Sequence, residues 1–89
     1  MKFIDWNEEK NSWLLVERNV TFEEVVYWIM RDGILDILEH PSKERYPNQL
    51  LFIINMDNYA YIVPFVEDGD RVFLKTIIPS RKMTRKYLG

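Results

Sequence analysis

Residues 50–78 read LLFIINMDNYAYIVPFVEDGDRVFLKTII. Three β-rich runs stand here, Leu50–Met56, Tyr59–Val66 and Arg71–Ile78, and two pairs of turn-forming residues separate them. Asp68-Gly69 is a strong hairpin signal, and Asp57-Asn58 is a weaker one. The runs therefore predict an antiparallel β-meander. With two-residue loops, residues directly opposite one another share a face. Leu50, Phe52, Ile54, Tyr61, Val63, Phe65, Val72 and Leu74 then fall on one side, the better core face. The reverse side carries Leu51, Ile53, Asn55, Ile62, Pro64, Arg71, Phe73 and Lys75. It mixes apolar groups with cations, so it suits either a ligand or a covering terminal helix. Pro64 has no N–H for the ladder and needs a bulge or an outward-facing side.

Toward the N-terminus the period changes from two to 3.6. Lys2–Trp6 alternates as a short strand. Asn7 can cap a first helix, with Glu8 and Glu9 in its favourable first turn. That helix is expected to reach Arg18 and bury Trp13, Leu14 and Val16. Thr21 with Glu24 forms a capping box, and Val20 with Val25 occupies the staple positions of a second helix. Phe22, Val25, Val26, Ile29 and Met30 make its apolar stripe. Gly33 supplies a left-handed stop. Ile34–Leu38 reads as a strand, followed by the polar loop EHPSKERYPNQ, residues 39–49. The two helices are expected to cover the better sheet face. Trp6, Trp13 and Trp28 read as packing residues.

Toward the C-terminus Ser80 caps a short helix from Arg81 to about Tyr87. Its first turn holds Arg81 and Lys82, where the helix dipole disfavours cations. Arg81 with Arg85, and Lys82 with Lys86, repel across one turn. A local rule broken in this way points to a functional segment, because a cationic N-terminal turn attracts phosphate. Charge is divided accordingly. Residues 71–89 hold 6 basic and no acidic side chains, while the other 6 basic and all 14 acidic ones precede them. The two parts carry +6 and −8, a net of −2, and a polyanion is a fitting partner for the basic part.

Eighty-nine residues suit one α+β domain spanning 1–89. Without cysteine there is neither a disulfide framework nor a thiol nucleophile. A single His40 makes a zinc site improbable, and neither a metal nor another cofactor is expected. MKFIDW lacks the apolar run of a signal peptide, and no stretch is long enough to span a bilayer. A cytoplasmic location without membrane contact is the simplest expectation.

The segment FIDWNEEKNSWLLVERNVTFEEVV, residues 3–26, resembles the opening of the BrnT-like toxins of bacterial toxin–antitoxin pairs, which have a RelE-like fold. Trp6, Lys10, Val20, Thr21, Phe22, Glu23 and Glu24 fit that family's phrases. Glu44 and Arg45 fit its Glu–Arg before the sheet, and Arg81, Thr84, Arg85 and Tyr87 fit its basic ending. The resemblance implies a ribonuclease toxin acting on RNA, neutralised by a small antitoxin protein. Operator DNA would be engaged only through the antitoxin complex. The chain departs from the family in having Glu17, Arg18 and Asn19 where a Lys–His–Gly phrase is common, and Asn7 after the tryptophan. An inactive relative serving as a protein-interaction or DNA-regulatory module is therefore the alternative. A stand-alone small-molecule or peptide-binding domain is a third.

Metal-free RNA cleavage needs a base for the 2′-hydroxyl, a cation at the phosphorane and a proton donor for the leaving oxygen. Arg81 and Arg85 are the choices for the second task, because a guanidinium holds phosphate at two points. Lys75 is the candidate base, provided that desolvation lowers its pKa. Tyr87 could stack on a base or give up a proton. Lys10, Arg45, Arg71, Lys82 and Lys86 complete the expected RNA-binding set, and Lys10 and Lys82 are further proton-transfer candidates. His40 reads as a solvated loop residue, and Glu44 with Arg45 as a surface pair.

Overall fold

Phe22, Phe65, Leu14, Ile54 and Leu74 lose their entire surface to one core, which lies between a helix pair and one face of a mixed sheet. The computed structural model describes residues 2–89. Its elements run β1 (Phe3–Trp6), α1 (Glu8–Arg18), α2 (Phe22–Ile29), β2 (Ile34–Glu39), β3 (Gln49–Met56), β4 (Tyr59–Asp68), β5 (Arg71–Leu74), β6 (Ile78–Pro79) and α3 (Arg81–Leu88). The strands are ordered β1-β5-β4-β3-β2, and β6 pairs with the other half of β4. β3, β4 and β5 form the expected antiparallel meander, and β2 extends it by pairing antiparallel with β3. The sheet as a whole is not antiparallel, because β1 joins it parallel to β5, with Ile4 beside Val72 and Trp6 beside Leu74. Among the described residues no helix is long and apolar enough to cross a membrane.

Local chemistry sets the boundaries. Asn7 accepts the Lys10 N–H at the start of α1, and Thr21 accepts the Glu24 N–H at the start of α2. A second α2 donor is met from a distance: Asn11 Oδ1, buried in α1, accepts the Phe22 N–H at 2.8 Å. The Asn11 amide donates to Glu23 at 2.7 Å. The left-handed residue after α2 is Asp32, with φ of 60°, and not Gly33. Gly33 is required for space instead, since a Cβ there would lie 2.6 Å from the Trp28 carbonyl oxygen.

The β3–β4 hairpin turns on Asp57 and Asn58, both left-handed, with φ of 55° and 66°. Two left-handed residues give the turn whose twist matches the strands. The β4–β5 turn is Gly69-Asp70, flanked by the pair Asp68 and Arg71. That is one residue later than the Asp68-Gly69 expected, and Gly69 takes the left-handed first position with φ of 61°. The shift slides the register by two residues, so each side chain keeps its face. Phe52, Ile54, Val63, Phe65, Val72 and Leu74 all enter the core, with Leu50 and Tyr61 packed against it.

The run Arg71–Ile78 is not one strand. Phe65 pairs with Leu74, and Ile62 pairs with Ile78. Two residues on β4 thus oppose three on the other strand, which defines a bulge. Pro64 sits opposite it, and its carbonyl accepts the Lys75 N–H at 2.8 Å. The missing proline donor therefore faces the interrupted stretch of ladder. The extra residue also reverses the alternation, which sends Ile77 into the core with no exposed surface.

Three residues expected in the interior are exposed to different degrees: Trp13 keeps 44% of its surface, and Val16 and Met30, at 81% and 75%, lie largely outside. Of the α1 side chains only Leu14 and Asn11 are buried. The helix meets the core along one narrow line, and its neighbouring positions stay in water.

Candidate nucleic-acid interface

α3 lies on the reverse face of the sheet, opposite α1 and α2. Ser80 caps it by accepting the Met83 N–H at 3.1 Å. Thr84 Oγ1 accepts the Ala60 N–H at 2.9 Å and donates to the Ser80 carbonyl at 2.8 Å. These contacts hold the first turns of the helix against β4. At the other end the Tyr87 hydroxyl donates to Asp36 Oδ2 at 2.5 Å. Asp36 lies on β2 opposite Ile53 of β3, so the helix crosses from β4 over β3 to β2. Ile53 and Ala60 are completely buried. The terminal helix thus covers part of the reverse face that the sequence left open.

The helix presents its cations outward. Met83, Thr84, Tyr87 and Leu88 are half-buried, whereas Arg81, Lys82, Arg85 and Lys86 are exposed. At 100° per residue these four occupy an arc of about 140° on the solvent side. Among the described residues the ion pairs are Lys2–Glu67, Lys43–Glu39 and Arg71–Asp5. None of them neutralises α3.

Asp36 and Tyr87 titrate as partners. The Tyr87 hydroxyl, and then the Ile37 N–H, hold the Asp36 carboxyl below its ordinary range, and the Lys86 charge assists. The same hydrogen bond to an ionised acceptor raises the pKa of Tyr87. A tyrosine so engaged is a weaker proton donor than a free one.

The remaining expected residues are dispersed. Lys75 is exposed at the bulge, with its ammonium 5.3 Å from the Phe73 ring centre. Arg71 sits at the far end of β5, paired with Asp5 at 3.5 Å. Its partner Asp68 lies eight residue steps along β4 from Ala60, which is roughly 26 Å of extended chain. Arg71 consequently does not share a surface patch with the start of α3. Arg45 lies in the loop after β2, 5.9 Å from the Tyr46 ring centre, and makes no ion pair with Glu44 within 4 Å. In that loop His40 Nδ1 accepts the Ser42 N–H at 3.0 Å, which leaves Nε2 to carry the proton of the neutral ring. The loop encloses an open cavity of about 650 Å³ lined by residues 39–45. Lys10 is on α1, with its ammonium 4.2 Å from the Trp13 ring centre.

The structure therefore unites Arg81, Lys82, Arg85 and Lys86, flanks them with Tyr87, and leaves Arg71 and Arg45 apart. Asp36 was not legible as part of the site. It sits mid-strand in ILDIL, and only its position opposite Ile53 brings it under Tyr87. No protein-family model, curated protein or solved structure matches this chain.

Proposed function

We propose that this chain is a BrnT-like toxin with a RelE-like arrangement, acting on RNA and restrained by a small antitoxin protein. The observation that carries the proposal is the outward arc of four α3 cations, none of which forms an ion pair within 4 Å among the described residues. Such an arc attracts a phosphate backbone and can be masked by an acidic partner. The helix pair on one sheet face and the basic C-terminal helix agree with the resemblance carried by residues 3–26 and 71–87. In the cleavage reaction Arg81 and Arg85 would hold phosphate oxygens as charge builds at phosphorus. Lys75, exposed in the free protein, would be desolvated only beneath bound RNA. There it would take the 2′-hydroxyl proton as the 2′-oxygen bonds to phosphorus, and Lys82 would give a proton to the 5′-oxygen as its bond to phosphorus breaks. Operator DNA would be engaged only through the antitoxin complex.

One observation favours the second reading, an inactive relative that keeps a partner-binding surface. The Tyr87 hydroxyl is committed to Asp36 and would have to leave it before serving a leaving oxygen. Induced expression with and without a co-expressed antitoxin separates the readings. Growth arrest relieved by Arg81→Ala with Arg85→Ala is the expected result. Absence of arrest at every expression level, with antitoxin binding retained, would establish the inactive relative instead.

A further inference from the structure

We infer that the RNA path continues from α3 onto α1, where Trp13 is a stacking platform for an unpaired base and Lys10 and Arg18 are its phosphate clamps. This rests on the RNA-binding reading of α3 and extends it to single-stranded substrate.

The argument begins with one guanidinium. Arg18 donates to the Ile77 carbonyl at 2.7 Å, and its Cζ stands 5.1 Å from the centre of the Trp13 ring. It therefore joins the end of α1 to the chain between Lys75 and Arg81. Lys75 is two residues before the anchored carbonyl and Arg81 is four after it, within about 13 Å of extended chain. The Lys10 ammonium lies 4.2 Å from the same ring centre. Trp13 keeps 44% of its surface exposed between these two cations. The fold thus gathers Lys10, Trp13 and Arg18, and Arg18 ties them to the chain four residues before Arg81.

That combination has a specific chemistry. Lys10 and Arg18 lie over the indole in the free protein; a base that takes the place of one cation gains the π-face, and the displaced cation meets the phosphate beside it. A duplex keeps its bases stacked inside and gains little from the ring, so the platform selects single strands.

The test is fluorescence anisotropy with a labelled twelve-nucleotide single-stranded RNA and a duplex of the same length. Trp13→Ala is expected to weaken single-strand binding by about tenfold while changing duplex binding less than twofold. Trp13→Phe restores most of the loss. Arg81→Ala weakens both ligands alike. If Trp13→Ala binds the single strand within twofold of the parent while Arg81→Ala does not, the platform is overturned and the α3 reading stands. If the parent itself shows no salt-dependent RNA binding, both fall. Ultraviolet cross-linking of parent protein to the single strand gives a readout that needs no variant. An adduct on the peptide containing Trp13 supports the path, and adducts confined to α3 overturn it.

Discussion

Single residues here are governed by what the chain places against them. Gly33 illustrates this: a Cβ there would lie 2.6 and 3.0 Å from the backbone carbonyl oxygens of Trp28 and Asn55, which cannot swing aside as a side chain would. Gly33→Ala should therefore destabilise by about 1–3 kcal/mol, measured as a lower urea midpoint with an unchanged slope. The Asp36–Tyr87 pair makes a pH prediction. Asp36 has a lowered folded pKa, so its contribution is present above its ordinary value of 3.8 and is lost as pH falls through the depressed one. Tyr87 has a raised folded pKa. Its contribution is present below the ordinary value of 10.0 and is lost as pH rises through the raised one. Tyr87→Phe should lower the melting temperature across the plateau between these limits, and its deficit should shrink as pH falls below 3.8 and again as pH rises above 10.0. A deficit independent of pH would mean that the phenol contributes only packing.

Among the elements, the bulged strand is the most informative. Ile77 and Ile78 are adjacent and chemically identical, yet Ile77 is fully buried and Ile78 is 39% exposed. The one extra residue opposite Pro64 decides which of them is core. Ile77→Ala should cost about 2–5 kcal/mol, and Ile78→Ala less than about 1 kcal/mol, as read by chemical denaturation. Equal effects would place the bulge elsewhere. The helix ends follow similar logic. Asn7, Thr21 and Ser80 act as the local caps that their positions announce. Asn11 caps α2 from α1, across 11 residues, and no local rule marks an asparagine within a helix for that task. The outermost strands β1 and β2 each lay an aspartate oxygen on the next N–H, Asp5 on Trp6 and Asp36 on Ile37, both at 2.8 Å. A donor occupied in this way is closed to a strand from another molecule.

At the scale of the molecule, charge is layered as well as split along the sequence. α1 carries three glutamates against Lys10 and Arg18, α2 carries Glu23 and Glu24, and α3 carries four cations on the opposite side of the sheet. The resulting field favours approach of a polyanion by the α3 side. Binding of single-stranded RNA should weaken linearly with the logarithm of salt concentration. Each of Arg81→Ala, Lys82→Ala and Arg85→Ala should reduce the magnitude of the slope by roughly 0.7. A slope unchanged by all three would remove α3 from the interface. The sequence by itself determined the helices, their local N-caps, the place of both hairpins and the core face of the meander. Each rests on residues a few positions apart, and a one-residue error in the second turn moved the register without changing any face. Tertiary structure alone decided that β1 runs parallel to β5, that Ile77 rather than Ile78 enters the core, and that α3 lands across the reverse face with Tyr87 on Asp36. Those outcomes join residues as much as 68 apart, as Phe3 and Arg71 are, and which distant partner wins depends on shape and burial summed over the whole chain, for which short stretches hold no signal.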